Sequence, residues 1–208
     1  MKLIDMQVKE YLDVLKSDAP APGGGSVSAL AGAQGAALFM MVADLTIGKE
    51  KYADCQEVCK VAKEKGAALY AELTAAVDKD TEAFNLVSAA FKMPKNTDEE
   101  KAARKQAIAD GTLVATEVPF RTMELGYEGL MTAKTMIGKS NPNAASDLGV
   151  AILNLTGCIK GAWLNVKINL PGVKDEAKAK FFAEEGQKMF DEADKIASSL
   201  YNEVAAIL

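Results

Sequence analysis

Pro20-Ala21-Pro22-Gly23-Gly24-Gly25-Ser26, running directly into Val27-Ser28-Ala29-Leu30-Ala31-Gly32-Ala33, is the stretch on which the reading of this chain turns. Two prolines end whatever precedes them, and three glycines open backbone conformations closed to other residues. The small residues that follow imply a helix, with Ser26 placed to cap it. So bare a helix start presents free backbone N–H groups where an anion can sit; a tight turn packed against a neighbour is the plainer alternative. Ser28, Ala29, Gly32, Ala33, Gly35, Ala36 and Ala37 leave the helix almost without side chains over two turns. Each glycine there costs about 1 kcal/mol relative to alanine, so close approach of another backbone or of a ligand must offset it.

Outward from this segment the chain reads as helix throughout. It is rich in Ala, Leu, Glu, Lys and Met and poor in the β-branched alternation of strands. Six helices are expected, over about residues 3–16, 26–46, 53–91, 98–138, 141–169 and 175–207. Pro94 and Pro171-Gly172 separate them, and Pro119 kinks or breaks the fourth. No linker or repeat divides residues 1–208, so the expected fold is one all-α domain, an antiparallel bundle.

Composition narrows the chemistry. The 208 residues carry a net charge of −5 and no histidine. The usual acid–base residue near neutral pH and the commonest metal ligand are therefore both absent. Proton transfer falls to a carboxylate, lysine, tyrosine or cysteine. The acidic balance argues against a nucleic-acid partner. The N-terminus lacks the apolar stretch of a signal peptide, and no charge-free apolar run is read as long enough to cross a bilayer. Cys55, Cys59 and Cys158 form no disulfide framework, which fits a cytoplasmic chain. Cys55 and Cys59 have no companions for a zinc site, so no metal is expected.

The glycine segment is neither a Walker loop, for no Gly-Lys-Ser/Thr ends it, nor a dinucleotide fingerprint, for no strand precedes it. The fifth helix is apolar nearly all round, as in a bundle centre or a subunit interface. One line along it is small or polar: Asp147, Ala151, Asn154, Cys158, Gly161, Asn165, Asn169. That line is either a satisfied network between helices or the wall of a pocket. The third helix carries an apolar stripe from Val58 to Phe91, and Asp80 falls on or beside it, between Val77 and Phe84. Asp98-Glu99-Glu100 reads as the acidic first turn of the fourth helix, and Trp163 as core or interface.

Several further motifs stand in order along nearly the whole chain: Met41-Val42-Ala43-Asp44-Leu45-Thr46-Ile47-Gly48-Lys49 with Tyr52; Asp80-Thr81-Glu82-Ala83-Phe84; and Pro94-Lys95-Asn96-Thr97-Asp98-Glu99-Glu100-Lys101. Val118-Pro119, Asn141-Pro142-Asn143-Ala144-Ala145-Ser146-Asp147 and Asn165-Val166-Lys167-Ile168-Asn169-Leu170 complete them. Together with Pro22-Gly23-Gly24-Gly25-Ser26 they resemble the formiminotetrahydrofolate cyclodeaminase / methenyltetrahydrofolate cyclohydrolase family. Asp44 departs from the asparagine, and Asn141 from the glycine, more usual there.

The resemblance implies an all-helical homodimer that binds a tetrahydrofolate derivative as substrate and uses no metal or redox cofactor. Family members make or hydrolyse a cyclic methenyl cation bridging two folate nitrogens. Carried onto this chain, it makes Asp147 the carboxylate that stabilises the cation or acts as base, and Lys49 the proton donor or carbonyl polariser. Gly23, Gly24, Gly25, Ser26, Tyr52, Asp80, Asn143, Asn165 and Asn169 would bind substrate. The expectation is that Asp147, Lys49 and the glycine segment converge on one cleft. The lysine clusters are either solvated helix surface or a seat for the folate's glutamate tail. With no transferase segment in this sequence to supply a formimino substrate, hydrolysis of the methenyl compound is the leading reading and cyclodeamination the second. A non-catalytic binding or assembly protein of the same fold is the alternative from another class.

Overall fold

Six α-helices, with no strand among the described residues, carry the chain: α1 (Val8–Leu15), α2 (Gly24–Asp44), α3 (Gln56–Lys92), α4 (Asp98–Thr135), α5 (Ala145–Asn169) and α6 (Glu176–Ala205). The structure is a computed structural model, and it describes residues 2–208. Short 3-10 turns at Leu3–Asp5, Glu50–Cys55, Pro142–Ala144 and Leu170–Gly172 supply the joints. The helix starts follow local chemistry. Thr97 and Glu100 form a reciprocal capping box at α4, and the Asp175 carboxylate accepts from the Lys178 N–H at α6.

Helices α2, α3, α4 and α5 form a four-helix bundle, with α2 packed on α3 and α5, and α4 closing the far side. Helix α6 lies against α5 and α4. The core is continuous, built from Phe39, Leu73, Met123, Leu130, Leu148, Ile152, Leu155 and Ile159, with Trp163 at its α6 edge. The small residues of α2 serve close approach to α5. A Cβ on Gly35 would lie 3.0 Å from the Ala151 carbonyl oxygen, and one on Gly32 would lie 2.7 Å from Cys158 Sγ. Packing enthalpy across this seam offsets the glycine penalty anticipated from sequence.

Three local expectations change. Helix α2 begins at Gly24, so Ser26 is already inside it and its hydroxyl makes no cap to its own helix. Pro119 does not break α4, which runs unbroken to Thr135. The carbonyl of Ala115, four residues before Pro119, takes its hydrogen bond from Asn169 Nδ2 at 2.7 Å. Finally, α2 is long and apolar enough to cross a bilayer by length and composition, contrary to the sequence reading. Its small and apolar residues pack against α3, α4 and α5, as in the core helix of a bundle.

Candidate functional site

The first turn of α2 meets α3 at Asp80. Ser26 N–H donates to Asp80 Oδ2 at 2.9 Å, the Ser26 hydroxyl donates to the Val77 carbonyl at 2.8 Å, and it also lies 3.3 Å from Asp80 Oδ2. The anion at this helix start is thus the protein's own side chain, reaching from another helix to satisfy an N–H that α2 cannot pair itself. Gly25 makes room for it: a Cβ there would sit 1.9 Å from Asp80 Oδ1. Burial pushes the Asp80 carboxyl above the usual carboxylate range, and the two bonds from Ser26 pull the other way. Behind it lies Tyr11, buried, its hydroxyl unpartnered, its pKa raised by burial and then by the Asp80 charge.

A cavity of about 290 Å³ opens in front of this carboxylate. Pro20, Ala21 and Gly23 to Gly25 form one wall, Asp80, Phe84 and Val87 of α3 a second, and Ala115 of α4 with Asn165, Ile168 and Asn169 of α5 the rest. Asp80 is the one charged side chain among these residues. Asn165 donates to the Gly161 carbonyl of its own helix at 2.9 Å, which orients the amide beside Gly24 and leaves its oxygen as an acceptor. The site therefore offers apolar walls, the backbone of the glycine segment, two fixed amides and one carboxylate. That combination suits a planar heterocycle with polar edges and positive charge.

Four of the residues singled out in the sequence are not there. Lys49, Tyr52, Asn143 and Asp147 gather around the C-terminal end of α2 and the first turn of α5. The Tyr52 hydroxyl donates to Asn141 Oδ1 at 2.7 Å, and the same oxygen accepts from the Asn143 N–H at 3.1 Å. The Asn141 N–H donates to Thr46 Oγ1 at 2.9 Å. A second cavity of about 340 Å³ opens here, lined by Tyr52, Ser140, Asn141 and Ala145 among others. At 1.5 Å per residue α2 separates the two groups by roughly 30 Å. Within one chain, then, Asp147 and Lys49 do not share a cleft with Gly23 to Ser26, and that expectation is corrected. The cause is that α2 and α5 are antiparallel, so the end of each lies beside the start of the other.

Sequence reasoning gave Phe84, Val87 and Ile168 no pocket role, placing the first two on the apolar stripe of α3 and quoting Ile168 only within a motif of α5, although all three line the cavity. Their spacing from Asp80 and Asn165 was the available signal. It also left the lysine clusters unplaced. Lys95, Lys101, Arg104, Lys105 and Lys174 surround a further cavity between the start of α4 and the turn after α5. Among the described residues no group of three His, Cys, Asp or Glu side chains is placed to hold a metal ion.

Comparison with known proteins agrees with this architecture. Residues 7–188 match the family model described as formiminotransferase-cyclodeaminase. The chain is 40% identical over 197 residues to methenyltetrahydrofolate cyclohydrolase of Methylorubrum extorquens, covering 95% of each chain. It is 33% identical over 174 residues to formimidoyltransferase-cyclodeaminase of Rattus norvegicus, where the match spans 84% of this chain and 32% of the relative. Among solved structures, formiminotetrahydrofolate cyclodeaminase from Thermotoga maritima superposes with a TM-score of 0.80 at 25% identity, covering 100% of this chain and 98% of that one.

Proposed function

The chain belongs to the formiminotransferase-cyclodeaminase family, and we propose that it is a methenyltetrahydrofolate cyclohydrolase of the cytoplasm, working without metal or redox cofactor. The structural observation that carries the reading is the cavity before α2, where a single carboxylate faces a floor of apolar and amide groups. A methenyl-bridged pterin is planar, carries one positive charge and has hydrogen-bonding edges, and each feature has its counterpart there. Support for hydrolysis over ammonia release comes from the cyclohydrolase relative, which is 40% identical over 95% of each chain.

In the hydrolytic reaction a water oxygen bonds to the methenyl carbon and loses a proton. One carbon–nitrogen bond then breaks: its electron pair returns to nitrogen, which takes up a proton, while the added oxygen loses its remaining proton to become the formyl carbonyl, and the formyl compound is released. Asp80 stands where a carboxylate can oppose the cation and accept the water's proton. Asn165 and Asn169 hold the heterocycle, and the absence of side chains at Gly23 to Gly25 lets it lie against the helix start. Cyclodeamination is the second reading, supported by the likeness to the Thermotoga maritima enzyme. Purified protein given methenyl- and formimino-tetrahydrofolate separately distinguishes them by loss or gain of the methenyl absorbance. Cyclisation of the formimino compound without hydrolysis of the methenyl one replaces the first reading with the second.

A further inference from the structure

The chain carries a net charge of −5, yet five cations and no carboxylate line one cavity of about 320 Å³: Lys95, Lys101, Arg104, Lys105 and Lys174. The segment after α3 and the first turns of α4 supply four of them, and the turn after α5 brings the fifth. Neighbouring carboxylates are committed to other contacts. Glu100 accepts from the Asn96 and Thr97 N–H groups, and Asp175 accepts from the Lys178 N–H. Asp98 pairs with Lys101 at 2.9 Å. Among the described residues Lys95, Arg104, Lys105 and Lys174 have no carboxylate within ion-pair distance. Arg104 is held in place. Its Nη2 donates to the Phe91 carbonyl at 3.2 Å, and the guanidinium lies 5.5 Å from the centroid of the Phe91 ring. Its Nε is buried with no hydrogen-bond partner. A guanidinium partly withdrawn from water attracts an anion more strongly than a solvated one does.

We infer that this cavity binds a small oligophosphate, free or as the end of a nucleotide. Like charges gathered round so small a space repel one another, and a ligand is favoured by the negative charge it brings among them. A lone carboxylate brings one charge. Linked phosphates concentrate several on neighbouring atoms, and their oxygens suit both a guanidinium fork and ammonium groups. A chain of glutamates sets successive carboxylates a residue or more apart, and so brings fewer charges into the same volume. Ile108 and Ala109 add apolar surface to the cavity, against which a nucleoside ring can lie. The site is separate from the cavity in front of Asp80, for the two share no lining residue. Helix α4 and the turn after α5 close on each other between them. A Cβ on Gly172 would lie 2.7 Å from Thr112 Cγ2, and Asn169 bonds the Ala115 carbonyl. The inference therefore does not depend on the cyclohydrolase reading.

Titration calorimetry of the full chain with sodium tripolyphosphate and with ATP, in buffer free of divalent metal, tests it. One site per chain is expected, with an affinity that falls as sodium chloride is raised. Lys105→Glu and Arg104→Gln should each weaken binding about tenfold or more, the loss of one charge-assisted contact. Lys9→Glu, a charge reversal on the exposed side of α1, should not weaken it. Thermal melts without ligand check that each variant is folded, and tripolyphosphate should raise the Tm of wild type more than that of Lys105→Glu. Equal affinity for the two probes assigns the site to a free oligophosphate and tighter binding of ATP assigns it to a nucleotide; both uphold the inference. No binding at millimolar probe overturns it, as does equal weakening by Lys9→Glu, the mark of a diffuse field. Tri-γ-glutamate, with no pterin attached, is the third probe. Binding as tight as that of tripolyphosphate, with the same loss in Lys105→Glu, also overturns the inference and gives the cavity to a carboxylate chain. No folate enters these titrations, so their failure leaves the proposed reaction standing, and a chain inactive on both folates leaves this site standing.

Discussion

Asn169 Nδ2 donates a 2.7 Å hydrogen bond to the carbonyl of Ala115, the acceptor that Pro119, lacking an N–H, leaves free within α4. A proline in mid-helix is tolerated here because a side chain from α5 supplies the missing donor. The same bond fixes Asn169 at the cavity wall, so a backbone defect and a cavity-facing amide hold each other in place.

That coupling is measurable. Asn169→Ala is expected to cost about 1 kcal/mol, the value of a hydrogen bond to a half-buried acceptor. Pro119→Ala restores the helical donor to Ala115, so in that background Asn169→Ala should cost markedly less. A double-mutant cycle from urea midpoints should show coupling of at least about 0.5 kcal/mol. Additive effects would show that Asn169 does not serve this carbonyl.

Gly25→Ala tests the contact that shapes the site. Its Cβ would fall 1.9 Å from Asp80 Oδ1, and the carboxylate has to leave its bonds to Ser26 to make room. Overpacking of this kind costs about 1–3 kcal/mol, which lowers Tm by about 2–4 °C per kcal/mol in a chain of this size. Turnover should fall more steeply than stability. Gly23→Ala, which meets nothing within 4 Å, should leave Tm unchanged within about 2 °C. Equal effects at the two positions would remove Asp80 from the explanation.

Much of this was legible in the sequence, and the failures have definite causes. Helical periodicity placed every long helix to within a few residues, because each has a strong stop such as Pro94 or Pro171-Gly172. The apolar stripe from Val77 to Phe84 put Asp80 at the edge of the core. That its partner is the Ser26 N–H, 54 residues away, is a tertiary fact with no local signature. Ser26 looked like a cap because serine is a common one, yet the cap of α2 comes from Asp80. The separation of Lys49 from the glycine segment is itself written in the sequence. A helix running from the glycine segment to Gly48 separates Ser26 from Lys49 by its own length, whatever it packs against. Motif order along a chain carries no such distance, so the motifs alone suggested one cleft.

The three free thiols should differ in reactivity. Burial pushes Cys158 up to about 12 and raises Cys59, while Cys55 is half-exposed. Since the thiolate reacts, a native protein treated with a disulfide reagent near neutral pH should release one equivalent per chain quickly, from Cys55. The remaining two should appear only on denaturation. Rapid loss of all three would mean that the seam between α2 and α5, where Cys158 lies against Gly32, opens readily in solution.

Asp80→Asn separates the catalytic role proposed for this carboxylate from its structural role. Burial holds the Asp80 pKa above its ordinary value in the folded chain, with the Ser26 bonds as partial compensation. The folded state therefore binds this proton more tightly than the unfolded state does. Its contribution to stability is full below the unfolded carboxylate pKa and is lost as pH rises toward the folded value. Asparagine keeps an acceptor for the Ser26 N–H and has nothing to ionise, so the variant should lack that loss. Measured against wild type, its Tm should improve as pH is raised from about 4, near the ordinary carboxylate pKa, to 7. Turnover of the methenyl compound should nonetheless drop about 10²-fold or more, the usual contribution of a positioned acid–base group. A relative Tm that moves the opposite way would mean that the α2 start and Ser26 stabilise the anion more than burial opposes it. Turnover within a few-fold of wild type would remove Asp80 as the group that takes the water's proton.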